Sequence, residues 1–259
     1  MEPFLKDKII LITGGTSRLG QAFVRKAAHQ GARVFFTYFK ATAVAKDLEQ
    51  TGAQGFPLDL ADSQAIECFA ALFRRKVEQL DVLIHNAAAT ADALIEKMSE
   101  KEWDDVLRVN LKAPFYLTQK LLPLLMRREK KGVSHHFPKM VTDPFFPAKV
   151  FTMVSRAGLS GLAGASNYAA SKGGLIAMTK TLAKELGRKK MLVNAVNPGF
   201  MQSSMTASVP EKILQKNLEE SPLKTFSDPE EVAEFLIFLS SDSMRQVTGQ
   251  VFHFEPRPF

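Results

Sequence analysis

The 259-residue chain contains a single cysteine, a single tryptophan and three tyrosines. One thiol, Cys68, excludes an internal disulfide and any metal site built from cysteines. Its setting in the apolar pattern IECFAALF predicts a small buried side chain rather than a reactive one. No apolar run approaches bilayer length; the N-terminal MEPFLKDK puts charges ahead of a short strand-like IILIT. The expectation is a soluble cytoplasmic protein with no membrane partner. Internal repeats and linkers are also missing, so residues 1–259 are expected to form one domain. The excess of basic charge is modest, a formal +7. Its local clusters, RREKK at 127–131 and RKK at 188–190, carry neither interleaved aromatics nor a nucleic-acid motif. No nucleic-acid partner is expected, and a positive surface suits an acidic partner or substrate better.

What the chain does contain is a regular alternation of short apolar runs and amphipathic stretches. KIILIT (8–13) ends in GGTSRLG, and QAFVRKAAHQ then reads as a helix stopped by Gly31. Strands follow at 32–39 and 54–58, each with a helix after it, the second over 63–79. DVLIHNAAA (81–89) is a fourth strand and its exit. Such alternation predicts an α/β fold with a doubly wound parallel sheet of Rossmann type, since strand–helix–strand crossovers are right-handed. Helices are then expected over 99–108 and 111–130, the second containing Pro123, which can kink it. Residues 132–148 hold three prolines and no clean period. They predict an insertion, either a surface excursion or a packed lid. KVFTMV (149–154), the helix of SNYAASK, MLVNAVN (191–197), a helix from Asp228 to Leu239 with a DPEE start, and GQVFHF (249–254) complete seven strands.

Several residues stand where chemistry is expected. Tyr168 and Lys172 share a helix face one turn apart, and Ser155 ends a strand before that helix. A phenol with an ordinary pKa of about 10 becomes a usable acid or base when an ammonium stands near it. Tyr168 can then handle a proton while Lys172 tunes it and Ser155 holds a substrate oxygen. The plain alternative is a tyrosine capping a core, a lysine on a wet face and a serine ending a strand. In TGGTSRLG, Gly14, Gly15 and Gly20 form the turn between first strand and first helix where a dinucleotide pyrophosphate meets backbone N–H groups, though the spacing is not GxGxxG. The end of the second strand offers Tyr38, Phe39 and Lys40, with no acid before Asp47. An acid there would bond a ribose 2'-hydroxyl; basic Lys40, with Arg18 in the glycine loop, suits a 2'-phosphate and hence NADPH. Asp59 can receive an adenine amino group or cap a helix. Asn86 can tie loops or line the cofactor. Asn110, between two helices, can be a cap or a site residue. No metal site is expected.

Taken together, TGGTSRLG, Asp59, HNAA, Asn110, Ser155, YAASK and NPGF resemble the short-chain dehydrogenase/reductase family over essentially the whole chain. Ser155 lies thirteen residues before Tyr168 and the other elements occur in family order. The resemblance implies one Rossmann-type domain with seven parallel strands, assembled as a homotetramer or dimer. It implies that Tyr168 is the general acid, Lys172 binds the nicotinamide ribose and lowers the phenol pKa, Ser155 polarises the carbonyl, and Asn110 holds a relay water. Gly14, Thr16, Ser17, Arg18, Leu19, Gly20, Tyr38, Lys40, Asp59, Leu60, Asn86 and Ala87 would bind the cofactor. Pro198 and Gly199 would form the loop over the nicotinamide, with Ser203 in place of a usual threonine. The chain departs from the pattern at Arg18, as in pteridine reductases, at His85 and Ala88 in HNAA, at 132–148 and at the terminal HFEPRPF. PGFMQSSMT, SNYAASK and DPEEVAEFLIFLSSD resemble the 3-oxoacyl-[acyl-carrier-protein] reductases within the family. That implies reduction of a 3-oxoacyl thioester on acyl carrier protein, with Arg128 and Lys189 as candidate carrier contacts. Reduction of another ketone, a sugar or a pterin-like ring is the alternative; a non-catalytic NADP-binding scaffold is disfavoured by the complete tetrad.

Overall fold

A computed structural model describes residues 4–126, 147–202, 206, 209 and 211–256. Its strands are β1 (Ile9–Ile12), β2 (Arg33–Tyr38), β3 (Gln54–Pro57), β4 (Val82–His85), β5 (Ala148–Met153), β6 (Met191–Asn197) and β7 (Val251–His253). They form one parallel sheet in the order β3-β2-β1-β4-β5-β6-β7. The crossover helices are α1 (Arg18–His29), α2 (Thr42–Glu49), α3 (Ser63–Lys76), α4 (Glu100–Leu107), α5 (Ala113–Leu125), the short α6 (Ala157–Ser160), α7 (Ser166–Gly187), α8 (Glu211–Glu220) and α9 (Pro229–Ser240). None is long and apolar enough to cross a membrane.

Strand alternation divides the core in two. Ile10, Ile12 and Phe36 face one side with Phe23, Val232 and Leu236 of α1 and α9. Ile9, Leu11 and Phe35 face the other with Phe69, Phe73, Leu117 and Leu186 of α3, α5 and α7. β5 and β6 are buried on both faces throughout, which is why their sequences show no apolar–polar alternation, and the polar side chains they bury, such as Lys149 and Asn194, are hydrogen-bonded. The chain doubles back between β3 and β4, so β1 pairs with β2 on one side and with β4 on the other. That reversal opens a crevice at the carboxyl ends of β1 and β4, where doubly wound sheets bind ligands.

The structure differs from the expectations in four places. The two helices of 99–130 are one rod interrupted by a π-helical turn, Arg108–Lys112, and α5 ends at Leu125 because Met126 is extended. Helix α3 stops at Lys76, where Val77 turns extended after a last turn of Arg74, Arg75 and Lys76. Cys68 is exposed: the buried stripe of α3 runs through Ile66, Phe69, Ala70 and Phe73, and position 68 falls off it. Of the expected insertion 132–148, residues 132–146 lie outside the described residues, and Ala148 already belongs to β5.

Candidate active site

The glycine loop is held by close packing. Gly14 has φ of 66°, and a Cβ there would lie 2.9 Å from Ala87 Cα; one on Gly15 would come within 2.5 Å of Phe36 Cβ, and one on Gly20 within 2.4 Å of the Gly14 carbonyl oxygen. Ser17 caps α1, accepting from the Gly20 N–H at 3.1 Å. The N–H groups of Arg18 and Leu19 lie in the first helical turn, which has no carbonyls of its own to pair them. A loop this tight at a helix N-terminus fits a pyrophosphate. Thr16 and Ser17 lie at the surface of the loop, whereas the Leu19 side chain is core, so only its backbone can face a nucleotide.

Asn86 ties the loops together. Its amide donates to the Thr13 and Gly14 carbonyls at 3.1 and 2.9 Å and to Ser17 Oγ at 3.1 Å, tying the exit of β4 to the loop. Thr13 Oγ1 completes the tie by accepting from the Asn86 and Ala87 N–H groups, each at 3.1 Å. Asp59 accepts from the Ala61 N–H at 2.8 Å and so shapes the turn, while the cap of α3 is Asp62. Leu60 packs on the second core cluster. At the end of β2, Tyr38 is half-buried and Lys40 is exposed, its ammonium 4.8 Å over the Phe39 ring. Arg18 does not stand open: its guanidinium donates to the Gln202 carbonyl at 2.8 Å, on the loop that follows β6.

Ser155, Tyr168 and Lys172 are brought together. Ser155 lies two residues beyond the end of β5, and its hydroxyl is close enough to the Tyr168 phenol to draw that group's pKa down. The Lys172 ammonium lies 5.5 Å from the centre of the Tyr168 ring and donates to the Met153 carbonyl at 2.7 Å. Gly158 of α6 lets this turn of α7 approach: a Cβ there would sit 2.6 Å from the Lys172 carbonyl carbon. Burial pulls the Lys172 pKa down to about 8. The phenol is not lowered as expected. Burial raises its pKa, the Ser155 hydroxyl opposes that rise, and the negative charge of Asp92 adds to it. Burial wins over the lysine because that ammonium is itself desolvated and already committed to a carbonyl.

Asn110 sits inside the π-turn rather than at a helix cap. Its Oδ1 accepts from the Ala89 N–H at 2.7 Å, and its amide donates to the Ala89 carbonyl at 2.9 Å and to Ser171 Oγ at 3.1 Å. Ser171 in turn donates to the Tyr168 carbonyl at 2.7 Å. The Asn110 side chain thus clamps the exit of β4 to α7.

Sequence reasoning missed Asn167. Its amide donates to the Ala91 and Glu102 carbonyls at 2.8 and 3.2 Å while its Oδ1 accepts from the Tyr168 N–H at 2.7 Å. The only signal for it was an asparagine directly before the tyrosine. His85, in place of the usual asparagine, is buried and meets Thr118 Oγ1 at 2.8 Å; burial pushes its pKa down to about 3, so it is neutral. Pro198 and Gly199 leave β6 in a turn, Gly199 at φ of 78°. Ser203 and Arg128 lie outside the described residues. Lys189 follows the far end of α7, roughly 30 Å along the helix from Tyr168. It is therefore not at the mouth of this cleft.

The family model described as Enoyl-(Acyl carrier protein) reductase matches residues 15–255. The 3-oxoacyl-[acyl-carrier-protein] reductase FabG of Thermotoga maritima is 36% identical over 95% of this chain and 96% of its own length. Its Aquifex aeolicus counterpart is 36% identical over 98% of both chains. The solved Pseudomonas aeruginosa RhlG/NADP active-site complex superposes with a TM-score of 0.85 at 29% identity, covering 99% of this chain and 98% of that one.

Proposed function

The chain belongs to the short-chain dehydrogenase/reductase family and is an oxidoreductase, and on that premise we propose that it uses NADPH to reduce the 3-oxo group of an acyl thioester carried on acyl carrier protein. The observation that carries the carbonyl-reductase reading is the meeting of Ser155, Tyr168 and Lys172 at one strand end. When bound, NADPH supplies the hydride. Tyr168, whose phenol is held protonated by burial, gives its proton to the carbonyl oxygen, and Ser155 donates a hydrogen bond to the same oxygen. Lys172 holds positive charge beneath the phenol as it loses the proton.

Two further features support the acyl substrate over a sugar. The relatives named above are 3-oxoacyl reductases. In addition, two loops fastened to the start of α7 carry exposed aliphatic side chains: Leu94 and Ile95 on the loop pinned by Asn167, and Leu159 and Leu162 on the turn before α7. An apolar rim suits an alkyl chain and offers nothing to hydroxyl groups. For NADPH, the support is the run Tyr38-Phe39-Lys40 without an acid, joined by Arg18. The proposal includes a homotetramer or dimer, supported by a groove in which Leu111 of the π-turn, Phe115 of α5 and Met178 of α7 are rimmed by Asp104, Arg108 and Lys112.

NADPH oxidation should be measured with a 3-oxoacyl carrier substrate, its small thioester mimic, a diketone and a dihydropterin. The thioesters are expected to turn over fastest; inert thioesters beside an active diketone or pterin would remove the acyl reading and leave the reductase. Cofactor choice is tested by titration. A charge-assisted phosphate contact contributes about 1.5 to 3 kcal/mol. Lys40→Ala should therefore weaken NADPH by roughly tenfold or more and leave NADH nearly unchanged, and equal wild-type affinities for the two would overturn the preference. Arg18→Ala should weaken NADPH less selectively, because its guanidinium also serves the Gln202 carbonyl.

A further inference from the structure

The loop that leaves β6 is closed into a ring by residues far away in the chain. The Asn197 carbonyl accepts from the Phe254 N–H at 2.8 Å, continuing the pairing of β6 with β7. The Phe254 carbonyl accepts from Ser227 Oγ at 3.1 Å. The Ser227 N–H donates to the Phe200 carbonyl at 2.9 Å, which returns the ring to the loop. Inside it, the Gly199 N–H donates to Asn197 Oδ1 at 3.2 Å. Ser227 itself is buried, directly before the Asp228 cap of α9. Gly199 lies against it so closely that a Cβ would sit 2.1 Å from Ser227 Oγ and 2.7 Å from the Phe254 carbonyl oxygen. The rings of Phe200 and Phe226 meet at 5.0 Å, and Ser221 Oγ donates to the Pro256 carbonyl at 3.4 Å, so the terminal segment is tethered twice.

We propose that Ser227 is a positioning residue for the nicotinamide half of the cofactor: by bridging Phe200 and Phe254 it fixes the arc from Pro198 to Phe200 against the C-terminal segment. The inference rests on the reading that this arc covers the nicotinamide. Ser227 touches neither the Ser155–Tyr168 pair nor the glycine loop. Its backbone bond fixes where the arc ends, and its hydroxyl bond fixes what the arc rests on. Both are made by one buried residue, so losing the hydroxyl leaves the Phe254 carbonyl without that donor and frees the floor under Gly199. The adenosine half, held at β1 and β2, is unaffected.

The test compares wild type with Ser227→Ala on NADPH and on 2',5'-ADP, which keeps the 2'-phosphate and lacks the nicotinamide. Loss of one net hydrogen bond predicts about fivefold weaker NADPH binding, with 2',5'-ADP unchanged within twofold. Hydrogen exchange of residues 198–202 should be slowed by NADPH in wild type and much less in the variant. If both ligands weaken equally, or neither does, Ser227 is structural only and the proposal is wrong. If NADPH fails to slow exchange in the arc even in wild type, the arc does not cover the nicotinamide, and the premise fails instead. Phe226→Leu, which loosens Phe200 and keeps every hydrogen bond of the ring, is a second probe should Ser227→Ala not fold; it should give the same selective pattern more weakly, and an unselective loss would overturn the proposal.

Discussion

In the proposed reaction Tyr168 carries the proton chemistry, and its surroundings favour the protonated form: burial and the Asp92 charge raise its pKa while the Ser155 hydroxyl draws it down. A phenol kept neutral at ordinary pH is an acid in waiting, which fits reduction better than oxidation. Tyr168→Phe removes the hydroxyl and little else. Turnover should fall by something like 10² to 10⁴ with NADPH affinity within about twofold of wild type, measured by NADPH oxidation and fluorescence titration; near-normal turnover would show that the acid lies elsewhere. This trio was legible in the sequence because it depends on two local regularities, a strand ending at Ser155 and helical spacing from Tyr168 to Lys172. Asn167 was not legible, because its partners are distant in the chain: Ala91 lies on a loop whose path no periodicity fixes, and Glu102 in the first turn of α4. Nor was the direction of the tyrosine shift, since charge spacing can be read from a sequence and burial depth cannot. Cys68 was misread for a related reason: an apolar neighbourhood does not reveal the phase of the buried stripe.

Among the elements, the π-helical turn between α4 and α5 matters most for the site. A helix running on at 3.6 residues per turn would carry Asn110 at a different angle; the wider turn directs it inward, where it is buried among Ala89 and Ser171. The sequence marked this region only as a break between helical patterns. Asn110→Ala would strip the Ala89 N–H and carbonyl of their partner at once. The expected loss is about 1 to 3 kcal/mol in urea unfolding, accompanied by reduced turnover because the clamp between the β4 exit and α7 is gone. An unchanged unfolding midpoint would mean that water replaces the amide at no cost. The strands, by contrast, were read nearly to the residue, and β6 was read without error, because a parallel strand covered on both faces is a short, predominantly apolar run without alternation.

For the molecule as a whole, His85 and Lys149 tie stability to pH in the same sense as the buried Lys172. His85 is held neutral, with a pKa near 3 instead of the ordinary 6.5. The unfolded chain therefore takes up a proton below pH 6.5 that the native chain refuses, and stability is lost as pH falls from 6.5 toward 3. Lys149 enters β5 beneath α9, donates to the Leu239 carbonyl at 2.9 Å and also to that of Ser241, and burial lowers its pKa to about 7. Its contribution likewise falls as pH drops from the ordinary lysine value of 10.5 to 7. At 1.36 kcal/mol per unit, His85 accounts for roughly 2 kcal/mol of the loss between pH 6.5 and 5. His85→Asn, the residue the family pattern carries there, should flatten the dependence over that interval in urea unfolding; an unaltered slope would place the acid sensitivity elsewhere. The ring around Gly199 also has a meaning in time. A chain made from its N-terminus acquires the glycine loop first and the β4 asparagine that ties it next, while β6 is still to come. Ser227 and Phe254 arrive only after α8 and after α9. The contacts that fix the arc beyond β6 are therefore among the last parts of the chain to be made.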